Sequence, residues 1–121
     1  MELEKQVCNL ELSKKLKELG VKQESLFYYL QYADQKPLIV GHNDASPGWS
    51  NYSAFTVAEL GEMLPEKACI RTVKLVEEWC CDYHPKNSKF NFPEHREVSN
   101  IEADARAKML VYLLENKLIK V

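Results

Sequence analysis

The side chains most able to do chemistry are four cysteines, three histidines and a short run of carboxylates. Cys80, Cys81 and His84 stand close together, with Glu77, Glu78 and Asp82 around them. Zinc needs about four convergent thiolates or imidazoles, usually in close pairs such as C-x-x-C, and that spacing does not occur. Apolar and polar residues alternate through this stretch, so Cys80 and Cys81 point to opposite faces of a strand and cannot easily grip one ion. A cysteine nucleophile needs an imidazole brought near by the fold; His42, His84 and His95 are the available ones. Glu77 and Glu78 diverge on a strand, and solvation of an exposed edge explains them with less machinery than acid–base catalysis. No Gly-rich phosphate loop, G-x-S-x-G or H-E-x-x-H is present, so the motif-based enzyme classes lose support. No catalytic residue, cofactor or metal ligand is therefore expected, and an enzyme is disfavoured.

A binding role has a better candidate. From Gly41 to Ser53 the chain collects Gly, Asn, Asp, Ser and Pro, which favour local turns, and this is read as the longest loop. It carries His42, Asn43, Asp44, Trp49 and Tyr52, and exposed aromatics on a polar loop serve as anchors for a partner. The alternative is that Trp49 covers the core. Phe27, Tyr28, Tyr29 and Tyr32 pose the same question: alternate ones belong to the core, and the remaining face is free for an interface.

The elements that must position these residues are legible as periodicities. Cys8, Leu12, Leu16 and Leu19 recur at helical spacing, predicting an amphipathic helix from about Leu10 to Leu19 with Asn9 as N-cap and a Schellman stop at Gly20 and Val21. Ser25–Tyr32 and Leu38–Val40 suggest a hairpin. Thr56 and Glu59 spell a capping box, with Phe55 and Leu60 as its staple, and the short helix it starts ends before Pro65. Between Cys69 and Tyr83 the odd positions are mostly apolar, which means strand, with a bend or turn marked by Glu77 and Glu78. Pro85–Lys89 reads as a turn, and Phe90, Phe92 and Val98 as a returning strand, irregular at Pro93–His95. Ser99 and Glu102 form a second capping box for a helix from about Asn100 to Asn116. Its apolar stripe runs through Ala103, Ala107, Leu110, Val111, Leu114 and Leu118. The expected fold is one α+β domain over residues 1–121 in the order α-β-β-α-β-β-α, an antiparallel sheet of about four strands in two hairpins packed by three helices.

Length, charge and targeting agree with that frame. A chain of 121 residues with 45% hydrophobic and 28% charged residues has room for one core and is too apolar to stay disordered. With 16 Lys plus Arg against 18 Asp plus Glu, the net charge is -2, and neither half is basic, so a nucleic-acid partner is disfavoured. Glu102 and Asp104, where a double-stranded-RNA-binding helix would present cations, argue the same way. The N-terminus lacks the apolar stretch of a signal peptide, and no run approaches the roughly 18 residues that span a bilayer. A cytoplasmic protein with reduced thiols and no membrane partner is expected.

Three strings, Leu10–Tyr28 (LELSKKLKELGVKQESLFY), Ala54–Pro65 (AFTVAELGEMLP) and Glu102–Ile119 (EADARAKMLVYLLENKLI), resemble a group of small uncharacterised proteins encoded by bacteriophages and prophage-carrying bacteria. The resemblance implies an origin; it brings no activity and no functional position. The expectation is therefore a non-enzymatic accessory module acting by protein–protein contact, with an unidentified partner or a second copy in a homodimer. The rival is a small enzyme or nucleic-acid module whose site is assembled from distant residues.

Overall fold

The structure is a computed structural model that describes residues 2–43, 46–65, 69–85 and 94–120, with backbone alone for residues 69–71. Among these residues are three α-helices, six strands and a short 3-10 turn at Leu3–Lys5.

Helix α1 (Leu10–Glu18) begins where the Asn9 side chain accepts the N–H of Leu12 at 2.9 Å. It ends as its composition predicts. Gly20 sits at φ +90°, and the N–H groups of Gly20 and Val21 return to the carbonyls of Lys17 and Leu16, the two bonds of a Schellman motif. Helix α2 (Val57–Met63) carries the full capping box: Thr56 Oγ1 accepts from the Glu59 N–H, and the Glu59 carboxylate accepts from the Thr56 N–H at 2.9 Å. The same carboxylate also takes the Ser25 hydroxyl at 2.8 Å and the Leu26 N–H at 3.2 Å, so α2 and the approach to the first sheet share one anchor.

Strand content exceeds the expectation. The first sheet has the order β2-β1-β3, with β1 (Tyr28–Tyr32) between β2 (Leu38–Val40) and β3 (Trp49–Ser53), all antiparallel. Trp49–Ser53, expected in a loop, is thus an edge strand; its five residues pair one for one with β1. The second sheet has the order β4-β5-β6, from β4 (Cys69–Lys74), β5 (Trp79–His84) and β6 (His95–Ser99). The long alternating run is a hairpin: residues 75–78 turn the chain, closed by the Leu75 N–H on the Glu78 carbonyl at 2.7 Å. His95 belongs to a regular strand, while residues 86–89 of the turn expected at Pro85–Lys89, with Phe90, Phe92 and Pro93, lie outside the described residues. Among the described residues there are therefore six strands in two sheets, where about four in one sheet were expected.

Helix α3 (Glu102–Glu115) starts without the second capping box. Its N-cap is Ile101, which has no side-chain acceptor; Ser99 is held in β6 opposite Trp79 and accepts from the Ile101 N–H instead. The helix closes at Asn116, with Lys117 at φ +56° and the N–H groups of Lys117 and Leu118 on the carbonyls of Leu114 and Leu113. Leu118 therefore falls beyond the helix and is half exposed, not the end of the buried stripe.

Ala103, Ala105, Ala107, Met109, Leu110 and Leu113 of α3 are buried with Leu16 of α1, Phe55, Leu60 and Leu64 around α2, and Cys81 and Tyr83 of β5. Small side chains early in α3 let it lie close to its neighbours. A second, smaller cluster joins Val7, Tyr29 and Ala54 under the first sheet. No helix among the described residues is long and apolar enough to cross a membrane.

Candidate functional site

Register decides which candidate residues meet. In the first sheet Tyr32 is paired with Trp49, and Leu30 with both Leu38 and Asn51. Directly paired residues share a face, and residues two apart share it too. Tyr32, Trp49 and Leu38 therefore lie on one face. Their solvent exposures are 44%, 37% and 55%, whereas Tyr28, Tyr29 and Leu30 are all buried. The expected alternation of buried and free aromatics fails because both faces are shielded at that end of β1; only the far end is open.

The open end is ordered by packing. The Tyr32 and Trp49 rings lie 5.3 Å apart, centroid to centroid, at 52°, the tilted arrangement that aromatic quadrupoles favour. Gly48 makes room for them. It sits at φ +87°, and a Cβ there would stand 2.7 Å from Cε2 of Tyr32, so a side chain would clash with the ring and strain the backbone.

The remaining loop candidates do not join this patch. Tyr52 is three positions from Trp49 and so on the opposite face, where it packs on the second cluster beneath Lys17 and Lys14, whose ammonium groups lie 5.0 and 5.6 Å from its ring centre. His42 and Asn43 are exposed after β2, and Asp44 lies outside the described residues. Tyr32, Leu38 and Gly48 complete the patch. Their signal in the sequence is weak: a tyrosine in phase with Leu30, and a glycine just before Trp49.

The candidates for covalent or acid–base chemistry are dispersed by the second sheet. Cys81 and His95 lie on the face that meets α3, His95 stacked parallel on Tyr112 at 3.5 Å and bonded to Glu97 at 2.6 Å. Cys80, Asp82 and His84 lie on the other face, and Asp82 is buried in a two-point ion pair with Arg96, at 2.6 and 2.9 Å. Cys80 and His95 thus face away from each other. Cys8, Cys80 and Cys81 are free thiols, and burial pushes those of Cys8 and Cys81 up to about 11, where they stay protonated and inert near neutral pH. Arg106 and Lys108, near the start of α3, are spent on Glu102 and on the Val98 carbonyl. Among the described residues no group of three or more His, Cys, Asp or Glu is placed to hold a metal ion.

Comparison of the chain with family models, with curated proteins and with solved structures finds no match. The class that fold and surface define is a two-sheet α+β protein with an ordered aromatic patch on its first sheet.

Proposed function

We propose that this chain is a small, non-enzymatic contact module of phage or prophage type, and that it binds through Tyr32, Trp49 and Leu38. The observation that carries the reading is the tilted Tyr32–Trp49 pair, exposed at the end of a sheet and seated where Gly48 leaves room for the Tyr32 ring. A rigid aromatic pair loses little conformational freedom on binding, which is why such residues anchor interfaces. None of the three side chains is charged, so the patch meets a copy of itself without repulsion; a symmetric homodimer is the partner this chemistry suits. The phage or prophage origin rests on the three strings quoted above.

Light scattering of the purified protein over a range of concentrations tests the reading. The expected result is a dimer that dissociates on dilution, with Trp49→Ala and Tyr32→Ala monomeric and folded. A wild-type monomer that captures a host or phage protein only through Trp49 replaces self-pairing with a mixed complex. A monomer whose captured partners are indifferent to Trp49 overturns the contact role of this face.

A further inference from the structure

A second site lies away from the aromatic patch, in a cleft that four distant segments build together. The 3-10 turn contributes Lys5, the first turn of α2 Val57, the β4–β5 hairpin Lys74 and Trp79, and the β6–α3 junction Ile101 and Glu102. Its volume is about 380 Å³, at the small end of the roughly 300–1,000 Å³ that ligand clefts span.

The lining has a definite chemical character. Val57, Ile101 and the Trp79 indole supply apolar surface. The Lys74 ammonium lies 5.2 Å from the centre of the Trp79 ring, and among the described residues neither Lys74 nor Lys5 has a carboxylate within ion-pair distance. Glu102, the acid of the cleft, is already bonded to Arg106 at 3.1 Å, so its charge is offset from within. Two uncompensated ammonium groups beside an indole and two aliphatic side chains complement a planar ring that bears one anionic group.

We infer that this cleft binds a small planar anion, its ring against Trp79, Val57 and Ile101 and its carboxylate or phosphate between Lys5 and Lys74. An aromatic carboxylate and a nucleoside monophosphate share this chemistry. The site is independent of the contact proposed for Tyr32 and Trp49, and stands or falls separately.

The test uses the full chain with Trp49→Phe, so that Trp79 is the sole tryptophan. Its fluorescence is titrated with benzoate and with AMP, and with their neutral counterparts benzamide and adenosine. Saturable change is expected with at least one anion and not with its neutral counterpart, and which anion binds more tightly identifies the source. Lys5→Gln and Lys74→Gln are each expected to weaken binding by about three- to tenfold, whereas Lys14→Gln, a charge change outside the cleft, leaves it unaltered. Absence of saturation by both anions, equal binding of the neutral probes, or indifference to both cleft lysines overturns the inference. Unchanged circular dichroism of the lysine variants separates loss of binding from loss of fold.

Discussion

The carboxylate of Asp104, in the first turn of α3, accepts the backbone N–H of Asn9 at 2.7 Å across 95 positions of sequence. Asn9 is also the N-cap of α1, so one residue both starts the first helix and ties it to the last. Asp104 is almost fully buried, and a buried carboxylate is tolerable only while its partner stays in place.

That arrangement makes Asp104 sensitive in two ways. Asp104→Ala removes the charged acceptor of the Asn9 N–H and is expected to cost about 1.5–3 kcal/mol in urea unfolding. Asp104→Asn keeps an acceptor and costs less. Burial raises the Asp104 carboxyl above its ordinary 3.8, against the opposing pull of Asn9 and Lys108. An acid raised in the folded state contributes stability below its unfolded value and loses it as pH rises through the folded one. Relative to Asp104→Asn, the wild type should therefore gain stability on acidification through the window just above 3.8, and equal slopes there would contradict the assignment.

The thiols of Cys8 and Cys81 predict the alkaline limb. Both are raised from 9.0 to about 11, burial being the largest cause. Between these values the unfolded thiol ionises and the folded one does not, so stability falls as pH climbs from 9 toward 11, by about 2 to 3 kcal/mol for each group. Cys8→Ala should remove one share of that slope. At pH 8 neither thiol should react with a disulfide reagent until the chain is unfolded, and prompt labelling of Cys8 in the native protein would count against its burial.

Much of the helical frame was legible because its signals are local. Asn9, Gly20 and the Thr56–Glu59 box act within a few positions, and each forms the bonds its type suggests. Strand organisation was less so. The β3 sequence WSNYS carries two serines and an asparagine, and its partner is β1, about twenty positions earlier; no local pattern reports that pairing. Within residues 69–84 the alternation itself misleads. Val73 pairs with Cys80 and Thr72 with Cys81, so the turn at 75–78 reverses the phase. Val73 therefore faces away from Cys81, though both are odd-numbered apolar residues in one run. The same logic split the candidate loop. Trp49 was legible as a candidate from its type, but its pairing with Tyr32 and the placement of Tyr52 on the opposite face follow only from register.

Helix ends give a matched pair of stability predictions. Gly20 and Lys117 occupy equivalent left-handed positions in two Schellman stops. The left-handed conformation costs an L-residue roughly 1–2 kcal/mol, partly offset by the lower entropy of its unfolded chain. Gly20→Ala should therefore destabilise by about 1 kcal/mol, and Lys117→Gly should stabilise by up to about 1 kcal/mol. Thermal unfolding of the two variants should shift in opposite directions; a loss at Lys117→Gly would mean that its side chain contributes something the backbone argument omits.

Gly48 offers the closest test of how the aromatic patch is held. The Cβ of an alanine would meet Tyr32 Cε2 at 2.7 Å on a backbone at φ +87°, and the ring is the element free to give, since Tyr32 is at the exposed end of its strand. Gly48→Ala should thus swing Tyr32 away from Trp49 while β1 and β3 stay paired through Tyr29–Tyr52 and Leu30–Asn51. The expected signature is a loss of the near-ultraviolet circular dichroism of the coupled rings and a shift in Trp49 emission, with far-ultraviolet signal retained and stability lowered by about 1–3 kcal/mol from the backbone strain. If the pair is the binding anchor, this variant weakens self-association as strongly as Tyr32→Ala, although it leaves the Tyr32, Trp49 and Leu38 side chains in place. Full association with the ring coupling lost would show that Trp49 and Leu38 suffice, and that the geometry of the pair is not what the partner reads.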